Sequence, residues 1–261
     1  MKRMSAQDLL NHYEAGQRDF LLLDLSGLDL RGASLPYMNL MGVDLVGADL
    51  SGADLSNADL SGADLTRANL SYCNLSGVEL SHAIVGEANF TCANLSGGIL
   101  NGLILGREDA QGPNFSEANL TGARLIEVQL PKANFTGANL TAADLAYSHL
   151  TKANFSETFL LGTFLKQANL AGANFRDAHL LGTFFVEACL SEACFENASL
   201  NCVNFYHADL NQVNFDLTTD YKRLVMPTGY GGDRCKFRQL KENRQENVAV
   251  KPPVQAHSVH W

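Results

Sequence analysis

From Phe20 to Phe215 nearly every fifth residue is Leu or Phe, beginning Leu25, Leu30, Leu35, Leu40 and Leu45. Val85 and Ala110 are the departures. Two residues earlier the position is usually Ala, as in Ala48, Ala53, Ala58, Ala63 and Ala68. Asp or Asn lies between the two, as in Asp49, Asp54, Asp59, Asp64 and Asn69, and Ser or Thr and often Gly follow. The unit reads A-[D/N]-L-[S/T]-G. A period of five matches neither the 3.6 of a helix nor the 2.0 of a strand. It matches a chain that bends once per unit. The Leu and Ala point inward from a short extended side, and the other three residues face out and make the bend. Asp and Asn suit a bend because their short side chains bond nearby backbone, and Gly because it accepts unusual dihedrals.

A second period sits on the first. Phe115, Phe135, Phe155, Phe175, Phe195 and Phe215 are spaced by twenty. Lys132-Ala-Asn-Phe135 recurs as Lys152-Ala-Asn-Phe155, and Leu160-Leu-Gly-Thr-Phe164 as Leu180-Leu-Gly-Thr-Phe184. Twenty residues are four units, so one turn has four sides. Residues twenty apart would stack about 4.8 Å apart, and the six phenylalanines would form one internal stacked column. The expected architecture is all-β: about ten four-sided coils, a rod on the order of 45–50 Å long.

These residues resemble the bacterial pentapeptide-repeat family over about three-quarters of the chain. The resemblance implies a right-handed quadrilateral β-helix, a solenoid with Leu, Phe and Ala inside. Most members of that family have no known activity. A few antibiotic-resistance members mimic B-DNA and bind DNA gyrase. The tandem regularity looks more like the uncharacterised bacterial group.

Residues 1–17 form the first expected division. Ser5-Ala-Gln-Asp8 reads as a helix N-cap with an acid in the first turn, Leu9, Leu10 and Tyr13 as an apolar stripe, and Gly16 as a stop. A helix from about Ala6 to Ala15 would cover the first coil. Residues 18–217 form the repeat. Within it, Gly106–Pro113 puts Glu108, Ala110 and Pro113 at inward positions, which predicts distorted sides or, alternatively, a loop. Residues 218–261 form the third division. Tyr221–Pro227 is expected to fold on the last coil, Thr228–Asp233 to be a flexible link, Lys236–Asn243 a short polar helix and Asn247–Trp261 a disordered tail.

The net charge of −9 argues against a basic nucleic-acid surface. From Asp216 on, eight Lys or Arg stand against five Asp or Glu, a balance of +3 that leaves −12 on the rest. No apolar run reaches membrane-span length and no signal-peptide pattern opens the chain, so the expected address is the cytoplasm. The Asp residues are one per unit and read as solvated corners, not acid–base pairs. The cysteines show no C-x-x-C pair. Cys189, Cys194, Cys202 and His207 read as packing residues, with a zinc site as the alternative. The expectation is no enzyme, no catalytic residue, no cofactor and no metal.

Two surfaces stand out. Phe occupies the outward position normally held by Asp or Asn at Phe159, Phe164 and Phe184, with Leu161 and Leu181 beside them. Ile84 and Ile104 occupy what the period of twenty makes the same outer column. Clustered apolar side chains on an outer face suggest contact with an unidentified protein partner or a homodimer, or packing under the C-terminal segment. The second surface is acidic: Asp24, Asp44 and Asp64 in one column, Asp29 and Asp49 in another, Asp54 and Asp59 on neighbouring sides. It supports the alternative reading of a DNA mimic that inhibits gyrase or another DNA-binding protein. The first reading is a non-catalytic scaffold.

Overall fold

Where the backbone hydrogen bonds go explains the five-residue unit. A computed structural model describes residues 2–106, 111–216, 218 and 223–227. In the unit 54–58 all five amides are satisfied. Asp54 N–H donates to Ala33 O, Leu55 N–H to Asn74 O, Asn57 N–H to Ser76 O and Ala58 N–H to Leu55 O. The Ser56 amide has no carbonyl to reach and donates to Asp54 Oδ1 at 3.0 Å. A buried or half-buried backbone donor without a partner is costly, so the Asp or Asn is the acceptor that completes the unit. The corner residue two after the inward Leu has positive φ. Gly52 (67°) takes it without penalty, whereas Asn57 (56°) is one of many corners held by other residues.

One bridge per unit links the chain to itself, parallel and twenty residues on, as in Asp29↔Asp49 and Asp54↔Asn74. The bridges fall in four columns. Column A runs from Asp24 through Asp44 and Asp64, and column B from Asp29 through Asp49 and Asn69. Column C runs from Ser34 through Asp54 and Asn74, and column D from Asp19 through Asn39 and Asp59. Between them the Leu, Phe and Ala positions make one continuous core. Phe90 and Phe115 stack at 4.7 Å, and the column continues through Phe135, Phe155, Phe175, Phe195 and Phe215 at 4.8–5.3 Å.

This corrects the expected fold class. The all-β, right-handed quadrilateral β-helix solenoid is not what the described residues form. Their regular elements are one helix and one open two-stranded sheet. The sheet pairs β1 (Lys2–Arg3) with β2 (Leu23–Asp24) in parallel, and the helix is α1 (Ala6–Glu14). The repeat units form no strands because the turn takes two of every five residues and the pairing reduces to a single isolated bridge.

At the start of α1, the Ser5 side chain accepts from the Asp8 amide at 3.1 Å and donates to the Asp8 carboxylate at 2.7 Å. Leu9 is fully buried, and Tyr13 donates to Pro36 O at 3.0 Å. The helix thus lies over the apolar residues of the first units. Ser5→Ala removes the cap and should cost about 1 kcal/mol, read as a lower thermal midpoint that Ser5→Asp largely recovers.

Apart from the last bridge, Asn204↔Val225 at twenty-one, the period of twenty breaks at one place. Asn89↔Asn114, Asn94↔Asn119, Ile99↔Arg124 and Ile104↔Gln129 are twenty-five apart. Five extra residues enter between Leu105 and Gln111, at the corner between columns A and B. Of the 106–113 segment, Glu108 and Ala110 lie outside the described residues. Pro113 is buried, and its carbonyl accepts from the Asn134 amide at 3.0 Å. Gly112 is pressed against the neighbouring chain: a Cβ there would lie 2.5 Å from Ala133 N and 2.5 Å from Lys132 C.

At the other end, Val225 bridges Asn204 in column D, and Leu224 and Met226 pack against the core. The expectations for 228–261, and those for Tyr221 and Lys222, lie outside the described residues.

Candidate interaction surface

Outward positions in the second half of the chain carry aromatic rings where the unit calls for an acceptor. Phe164 and Phe184 are consecutive in column D and stack at 5.2 Å with planes 6° apart. Phe159 lies in column C and stacks on His179 at 4.9 Å. Leu161 and Leu181 occupy the corner between these columns. The five hydrophobic residues are 37–50% exposed, so they form one ridge around a corner. The inward residues beneath them are Thr158, Thr163 and Thr183, whose hydroxyls donate to Phe155, Leu140 and Leu160 carbonyls at 2.7 Å. The ridge therefore stands on a satisfied interior.

These rings have a local cost. Where Asp144 stands in column D, the Ala146 amide donates to it at 3.0 Å. After Phe159, Phe164, His179 and Phe184, the corresponding amides of Leu161, Lys166, Leu181 and Val186 have no protein acceptor among the described residues. A hydrogen bond worth about 0.5–1.5 kcal/mol is given up at each position. The amides of Gly86, Asn101 and Ser191, after Ile84, Ile99 and Cys189, also lack an acceptor among the described residues, so what sets this region apart is the exposed rings on adjoining columns and not the lost bonds.

Ile84 and Ile104 do not belong to this ridge. The twenty-five-residue step moves them into column A, where they continue to Gln129 and His149. Ile99 lies in column D instead, below Arg124. Reading a period of twenty across the extra residues misplaces everything before them by one side. His179 was missed as a member of the ridge, although its number, twenty beyond Phe159, carries the signal.

The acidic residues form no single face. Asp24, Asp44 and Asp64 lie in column A, Asp29 and Asp49 in B, Asp54 in C and Asp59 in D. Each accepts the amide two residues on, at 2.9–3.3 Å. Three are held below the ordinary carboxylate value of 3.8: Asp24 by the Ser26 hydroxyl, Asp49 by the Ser51 amide, and Asp29 by the Arg31 guanidinium, which brings it to about 2. A carboxyl with a lowered native pKa adds stability above its ordinary pKa and loses it as pH falls through the native one. Stability should therefore fall between pH 3.8 and about 2. Thermal midpoints across that window should decline, and Asp29→Asn should flatten the decline.

Nothing in the described residues assembles a metal centre: no group of three or more His, Cys, Asp or Glu could hold an ion. Cys73, Cys92, Cys189, Cys194 and Cys202 are free thiols. Burial pushes Cys73 up to about 12, and its Sγ donates to Leu50 O at 2.8 Å, so it is a packing group and not a nucleophile. No helix among the described residues is long and apolar enough to cross a membrane.

The pentapeptide repeats family model matches overlapping segments that run from residue 24 to residue 216. Among solved structures the chain is similar to HetL, a pentapeptide repeat protein involved in heterocyst differentiation regulation from the cyanobacterium Nostoc sp. strain PCC 7120. The two are 31% identical over 87% of this chain and 98% of that one, with a TM-score of 0.48. It is also similar to QnrB1, a plasmid-mediated fluoroquinolone resistance protein, in a trypsin-treated form (19% identity, 81% and 93% coverage, TM-score 0.46). A third is the pentapeptide repeat protein Rfr23 from the cyanobacterium Cyanothece 51142 (22%, 49% and 90%, 0.27). No curated protein matches the chain. The repeat model covers well over half of the sequence, and the periodic unit it describes is the one the hydrogen bonds explain: the chain belongs to the pentapeptide-repeat family.

Proposed function

We propose that the chain is a non-catalytic interaction module that binds a protein through the ridge of Phe159, Leu161, Phe164, Leu181 and Phe184. The observation that supports it is the replacement of amide acceptors by exposed aromatic rings on adjoining columns. Clustered exposed apolar area of this kind is characteristic of contact surfaces. The reading takes the protein as cytoplasmic, an address that suits five free thiols.

Affinity capture from a native extract tests it. A protein retained by the wild type should be lost by a folded Phe164→Asp/Phe184→Asp variant. Retention of the same proteins by both would remove the ridge from consideration. The DNA-mimic reading has less support, because the acidic residues are spread over all four columns and each is engaged as a turn acceptor. It would require inhibition of gyrase supercoiling at stoichiometric protein, relieved by salt.

A further inference from the structure

We draw no further inference here: the strongest candidate, the apolar ridge of Phe159, Leu161, Phe164, Leu181 and Phe184 on columns C and D, carries nothing beyond the proposed function because nothing in the structure shows what covers it.

Discussion

Phe175→Ala should lower stability by about 3–5 kcal/mol, a drop in the thermal midpoint on the order of 10 °C for a chain of this length. Phe175 stacks between Phe155 at 4.9 Å and Phe195 at 4.8 Å, and meets Phe185 edge-on at 5.6 Å. It is completely buried. Its neighbours cannot close over the vacancy. Each is anchored by backbone bonds to the adjacent turn: Phe155 N–H donates to Asn174 O at 2.7 Å, and Phe195 N–H to Asn214 O at 2.7 Å. The cavity would stay open, so the loss should lie at the upper end for a large-to-small change. Phe164→Ala is the matched control. That ring has the same parallel stacking, at 5.2 Å, but is 46% exposed, and its loss should cost less than about 1 kcal/mol. Equal costs at the two positions would mean that ring stacking, and not burial, stabilises the columns.

Gly112→Ala should cost about 1–3 kcal/mol, and the damage should be local. The added methyl would meet Ala133 N, Lys132 C and Lys132 O at 2.5–2.6 Å, all backbone atoms that cannot rotate away. The chain must then move off its neighbour, and the nearby bonds Asn134 N–H to Pro113 O and Glu87 N–H to Gln111 O should open. Hydrogen exchange should show lost protection at the Asn134 and Glu87 amides, with distant columns unchanged. Gly122→Ala offers a contrast. Gly122 has φ of 65° but open space around it, so its cost comes from backbone conformation and should spread no further. A Gly112→Ala protein with full protection at Asn134 would show that the close approach is relieved without breaking the pairing.

The core was legible because every unit is governed by the same local accounting. An inward Leu or Phe, a small residue two before it and an acceptor between them recur in the sequence, and each has one physical task. The helix at Ala6–Glu14 was legible too, because Ser5 and Asp8 carry a cap that acts within four residues. The secondary-structure class was not. Period and composition say that the chain bends every five residues and buries alternate positions, but not how many residues between bends are paired. That number turned out to be one, so what was expected as a β-helix is turns joined by isolated bridges.

The candidate surface divides in the same way. Phe164 and Phe184 could be placed on one column from their spacing because no extra residue lies between them. Ile84 and Ile104 could not be placed with them, because Ala110 kept the phase of five while a whole unit was added to the turn. A phase of five is preserved by any insertion of five residues, so the sequence cannot distinguish a side of the stack from an extra unit between sides. Pairing between distant parts of the chain decides it: Asn89 can bond only to the residue that lies beside it, and that residue is Asn114. By itself, then, the sequence determined which residues are inside, where the bends fall and where the chain is capped. Which columns the outer side chains share, and so which of them can meet a partner together, was decided by the tertiary structure, because lateral register is a long-range property that a five-residue pattern does not encode.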